Sequence, residues 1–292
     1  MRPVRALIIY LAIVFLGGAL AAPWLWHLGR LVPIAKIANA PFHRYLDRAF
    51  LILAVLGLIP LMRGLGARSL PEAGIVPPYG QWKKLLAGAG LGVASLALVF
   101  VIELAAGPRH FAPGIGVEGV AYATASALGT AMAVAVVEEI LFRGGIFGGL
   151  RRVFNWPVAL AASSVIYSLA HFLHPQGIAG PVRWDSGLLP LPHLLSFHAF
   201  IPAFLSLTLA GIVLGLGYQR TGNLYFSAGL HGGWVFVLKL WAALTVETPG
   251  AAESFWGSNK MVDGWLAFLA LAAVLGVFNA LPLQQRPPYT IP

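Results

Sequence analysis

The chain has 292 residues, 59% of them hydrophobic and 10% charged, with a formal net charge of +9 and no cysteine. Soluble domains carry roughly 25% charged residues, so the composition excludes an ordinary soluble globular protein; the missing cysteines exclude disulfides, thiolate metal sites and a Cys nucleophile. The positive charge does not argue for nucleic acid, because Lys and Arg sit mostly between apolar runs, where they anchor helices and set topology.

Apolar stretches long enough to cross a bilayer recur along the chain. They predict an all-α fold, a polytopic membrane bundle of about eight transmembrane helices, with residues 1–292 forming one membrane domain and no soluble domain. The first span is expected at about 5–24, an uncleaved first helix rather than a signal peptide. Residues 25–46 are a loop or a helix lying in the interface. A short second span runs over about 47–62. A Pro-rich loop leads to span three, about 85–106, where Glu103 is expected to be a helix-end charge reaching headgroups. Span four covers about 118–148, and a short turn joins it to span five at about 157–173. The longest internal loop, about 174–193, follows and is a candidate to dip into the membrane. Spans six, seven and eight are expected at about 194–218, 223–244 and 264–282. With the N-terminus inside, eleven Lys and Arg near span ends fall on the inner side and seven on the outer side. That bias predicts N-in and C-in topology. Richness in Ala, Gly and Arg and the compact loops lean toward a bacterial inner membrane.

Span four carries the chemistry. VEEILFR places two adjacent carboxylates, Glu138 and Glu139, and then Arg143 inside an apolar run. A carboxylate inside a membrane costs a few kcal/mol, by rough estimate, and is by default a functional hypothesis that needs a partner. The partners proposed are His171 and His231. Their depths agree: at about 1.5 Å per residue, counting from the turns near 153 and 222, all three lie roughly 14–24 Å from one face. Within the helices, Glu139 and Arg143 are i,i+4 with the acid first, the better order for an ion pair. Glu138 is turned about 100° away and is free for another task. Tyr167 and His171 are i,i+4, so an aromatic ring can wall the histidine. Gly232 and Gly233 after His231 allow close helix approach.

Blander readings compete. An ion pair of Glu139 with Arg143 is structural by itself, but it leaves Glu138 unexplained. A single membrane histidine is more often a satisfied interhelical bond than a ligand. His110, His193 and His198 lie in or near loops and read as interfacial, and His174 stands near a helix end. Ser163, Ser164 and Ser168 are small packing residues outside any G-x-S-x-G motif.

Two chemistries fit one Glu and two His. A carboxylate in a dry site can act as general base on water, with one histidine orienting it and the other donating to an oxyanion. Alternatively, Glu138, His171 and His231 form a ligand set for one zinc with an open water position. The H-E-x-x-H zinc helix is absent.

EEILFR resembles the E-E-x-x-x-R motif of the CPBP family of intramembrane proteases, which includes the CAAX-processing enzymes. YSLAH at 167–171 is similar to that family's aromatic-x-x-x-His motif, with Tyr in place of Phe. TGNLYFSAGLHGGW at 221–234 is similar to its later histidine motif. The resemblance covers about 118–240, a CPBP-like catalytic core. It implies an eight-helix membrane endopeptidase in which Glu138 activates water with His171, Glu139 and Arg143 hold the site, and His231 serves the oxyanion. Many members carry Asn or Asp four residues after that histidine. Val235 stands there, so Asn223 or backbone N–H groups are candidates for the missing donor. The implied partners are the bilayer and a membrane-tethered or membrane-spanning peptide. A non-catalytic scaffold or immunity protein on the same fold, favoured by Val235, and a proton-coupled transporter are the competing functions.

Overall fold

The computed structural model describes residues 2–66, 69–172, 180–191, 201–258 and 262–280. His174, His193 and His198 and the two ends of the long internal loop lie outside the described residues. Among the described residues, four helices are long and apolar enough to cross a membrane, or five if a bent pair counts as one span. The sequence predicts about eight. The difference lies in helices that are apolar but short, and in one, Tyr225–Leu244, whose apolar run is dotted with polar residues.

Helix α1, Val4–Arg30, is longer than the expected first span. A one-turn helix, Ala35–Ala38, follows. The expected second span is two helices, α2 (Phe42–Leu56) and α3 (Leu58–Gly64), bent by 45° at Gly57. Helix α4 is Trp82–Ala106 and α5 is Val117–Leu150. Helix α6 is Trp156–His171, α7 is Ile201–Thr221, α8 is Tyr225–Leu244 and α9 is Trp265–Ala280. Two short strands, β1 (Arg109–Phe111) and β2 (Thr245–Glu247), pair antiparallel and were not expected. They tie the end of α4 to the end of α8.

Local signals explain the borders. Asn155 caps α6 by accepting from the Val158 N–H, and Pro157 stands in the first turn, where the free N–H groups need a side-chain partner and Pro costs nothing. Gly222, at φ 71°, makes the turn between α7 and α8, a left-handed position that suits glycine.

Helix α8 is the centre of the bundle, packed against α4 and α5. On its α4 side the approach is backbone to backbone. A Cβ at Gly229 would run into Leu85 O, and one at Gly233 into Ala89 O; from the other helix, Gly88 and Gly92 would meet Phe226 O and Leu230 O. On its other side α5 presents Ala127, Ala131 and Ala135, all 3% exposed, and then Glu139, fully buried. Those residues recur every fourth position and form one narrow face. The small stripe lets α5 lie close to α8, with Ala135 Cβ 3.6 Å from a Cβ built on Gly232. The next residue on that stripe is the carboxylate of Glu139, which therefore points at α8.

Candidate active site

After Glu139 the helix α5 widens into a π segment, Ile140–Phe147. Such i→i+5 turns are rare and gather at functional sites. Arg143 lies within it, 2% exposed, and its Nη1 is 3.0 Å from Glu139 Oε1. Its Nη2 donates to Gly211 O of α7 at 3.4 Å, and its guanidinium sits 4.5 Å from the centre of the Tyr167 ring. One arginine thus joins α5, α6 and α7.

The same Glu139 Oε1 accepts from His231 Nδ1 at 3.0 Å. A carboxylate can only accept, so Nδ1 carries the proton and His231 presents Nε2 to the other side. There it faces Glu138 Oε2 at 3.8 Å. On α6, His171 Nδ1 donates to Tyr167 O at 2.8 Å, which fixes the tautomer of the neutral ring and leaves a lone pair on its Nε2. Its Nε2 is also 3.8 Å from Glu138 Oε2. Tyr167 walls the pair: its ring centre is 4.5 Å from that of His171 and 6.2 Å from that of His231. The five candidate residues, Glu138, Glu139, Arg143, His171 and His231, are thus brought together at one place.

Burial divides them. Glu139, Arg143 and His231 are enclosed, whereas the side chains of Glu138 and His171 are 26% and 29% exposed. Among the described residues, Glu138 Oε2 nevertheless finds no hydrogen-bond partner. At 3.8 Å it is beyond direct hydrogen-bonding reach of either imidazole.

Glu138, His171 and His231 are donors of the right type for zinc, but among the described residues no group of three or more His, Cys, Asp or Glu is arranged to hold a metal ion.

Other expectations need correction. Asn223 is not at this site: its Nδ2 donates to Gln81 Oε1 at 3.0 Å and its Oδ1 accepts from the Tyr225 N–H at 3.2 Å. It caps the start of α8, eight residues before His231. Glu103 does not reach headgroups; it is 1% exposed. Arg109 of the β-ribbon and Trp241 of α8 lie beside it, and no periodicity announced the ribbon. The serines behave as packing residues: Ser163 and Ser164 donate to Leu160 O, and Ser168 to Phe204 O. Two contacts were missed, the Glu139–His231 bond and the Trp234 Nε1 bond to Ser95 Oγ at 3.0 Å. Each joins residues more than 90 apart in the chain; the depth count brought His231 level with the acid pair without singling out Glu139, and nothing in the sequence pairs Trp234 with Ser95.

The family comparison falls on the same helices. Residues 120–237 match the family model described as Type II CAAX prenyl endopeptidase Rce1-like. Over that segment the chain is similar to the Rce1-like family. The matched segment contains α5 from its first turn, all of α6 and α7, and α8 through Val237, His231 included. Comparison with curated proteins and with solved structures finds no match. Similarity to this family over residues 120–237, together with the apolar helices, points to an integral membrane protein.

Proposed function

We propose that the chain is an intramembrane endopeptidase that hydrolyses a peptide bond of a membrane-associated substrate, with Glu138 as the base that activates water. The observation that carries this reading is the position of Glu138 Oε2, 3.8 Å from Nε2 of both His171 and His231 and without a hydrogen-bond partner among the described residues. An enclosed acceptor normally has a donor. A water there donates one hydrogen to Glu138 and the other to His171 Nε2, whose lone pair is free because Nδ1 holds the proton.

The water gives its proton to Glu138 as its oxygen adds to the peptide carbonyl carbon. His231, protonated at both nitrogens, donates from Nε2 to the oxygen that becomes negative. Glu139 stabilises that imidazolium through Nδ1, as a buried acid does behind a catalytic histidine, and Arg143 keeps Glu139 ionised and in place. Collapse of the intermediate breaks the C–N bond. Glu138 returns its proton to the leaving amine, giving a carboxylic acid and an amine; the acid then passes its proton to the amine, leaving a carboxylate and an ammonium. Val235 contributes no donor, so His231 carries the oxyanion through its side chain.

Glu138 and His171 form the accessible wall of the site, so the substrate enters from their side as a membrane-tethered or membrane-spanning peptide. We place the N-terminus in the cytoplasm and the protein in a bacterial plasma membrane, on the distribution of Lys and Arg; reporter fusions at the two termini test the orientation. The function is tested by comparing peptides released from membranes carrying the native chain or Glu138→Gln, in water enriched in heavy oxygen. Hydrolysis predicts native-only products with one heavy oxygen in each new carboxyl. Identical peptide sets from both membranes would overturn it.

A further inference from the structure

A second polar site lies at the other end of α8, where β1 and β2 close the bundle. Trp241 is ten residues beyond His231 on this helix, about 15 Å further along by the helical rise. Glu103 of α4 lies beside it, 1% exposed. The Trp241 indole and the Arg109 guanidinium are the near neighbours of its carboxylate, and among the described residues none makes a hydrogen bond to Glu103 Oε2. It lines a cavity of about 240 Å³ together with Arg109, Glu247, Glu253 and Trp256.

The walls are fixed by the fold. Arg109 and Glu247 are register partners in the ribbon. Arg109 Nη1 is 3.3 Å from Glu247 Oε1, and its Nε donates to Thr245 Oγ1 at 3.0 Å. Thr248 closes the rim, its N–H donating to Pro108 O at 2.8 Å and its hydroxyl to Gly107 O at 2.7 Å. Three carboxylates therefore face one guanidinium that is already engaged with Glu247 and Thr245. An anion is disfavoured there. A metal ion does not fit either, since no group of acids among the described residues is arranged to hold one.

We propose that this cavity binds an alkylammonium group, either of a free amine or of a lysine side chain. The ammonium donates to Glu103 Oε2 and to Glu253. Its hydrocarbon stem lies along Pro108, Pro249 and Trp256, whose ring face also attracts a cation. This site is distinct from the Glu138 site and stands whether or not that site is proteolytic.

The test is calorimetry and thermal unfolding of the full chain in detergent micelles. The probes are the diamine putrescine, N-acetyl-lysine methylamide and magnesium ion. Saturable binding of either amine is expected, with a raised Tm. Glu103→Gln should weaken it by about tenfold or more, and Glu253→Gln, an exposed position that does not threaten folding, should weaken it as well. Binding of putrescine with none of the lysine derivative assigns the site to free amines, and the reverse assigns it to peptide lysines. No saturable binding of either amine overturns the proposal, as does amine binding unchanged in both variants, or binding of magnesium alone.

Discussion

Replacing Arg143 by Met removes the cation that, with His231, contacts the buried Glu139 carboxylate. The two side chains are 3% and 1% exposed and 3.0 Å apart. With an effective dielectric near 20, a unit pair at that distance is worth about 5–6 kcal/mol before desolvation. Breaking one side of a buried pair costs about 3–5 kcal/mol, because the remaining charge is left uncompensated. Arg143→Met should therefore destabilise the fold by that amount. Glu139→Gln alone should also destabilise it, since it leaves a buried guanidinium. The double variant should recover most of the loss: the new carboxamide oxygen can still accept from His231 Nδ1, and the Met side chain packs against the Tyr167 ring where the guanidinium stood. Unfolding of the four proteins in mixed micelles gives the coupling energy of the pair. A coupling of several kcal/mol is expected. Additive losses, or an Arg143→Met variant as stable as the native chain, would refute the reasoning that this ion pair holds the site.

Other outcomes follow from the same contacts. His171→Ala should reduce cleavage by about a hundredfold to ten-thousandfold, the range for a group acting in proton transfer, while the partly exposed position leaves the unfolding midpoint nearly unchanged. Gly233→Val should cost about 1–3 kcal/mol by overpacking, because α4 backbone occupies the space a side chain needs. Gly129→Ala has open space around it and should stabilise α5 by about 0.5–1 kcal/mol; equal effects at the two glycines in unfolding experiments would contradict the packing described. Ser95→Ala leaves the Trp234 indole N–H without its acceptor and should cost about 1–3 kcal/mol, whereas Ser95→Thr should restore it.

The site was legible because membrane burial makes charge conspicuous. Glu138, Glu139 and Arg143 stand out in an apolar run, and counting rise from the turns put two histidines at their level. The roles were less legible. The sequence pairs Glu139 with Arg143 by spacing, but only the α5–α8 packing reveals that Glu139 also accepts from His231 Nδ1. Asn223 looked available as an oxyanion donor because a sequence does not display that its amide is taken by Gln81. Glu103 looked like a helix-end charge because the β1–β2 ribbon that encloses it has three residues per strand, too few to leave a pattern. The bend at Gly57 was hidden for a different reason: apolar composition continues through it, and hydropathy does not record direction. The π segment after Glu139 is equally silent, since its residues are as apolar as those of an α-helical span.

The most direct measurement is the turnover of Glu138→Gln on a membrane-tethered peptide, at matched folding stability. Gln keeps the shape but cannot take a proton from water. A fall of about a hundredfold or more is predicted, with substrate binding retained. Turnover within a few-fold of the native chain would mean that another group activates the water and that the two imidazoles face Glu138 for some other purpose.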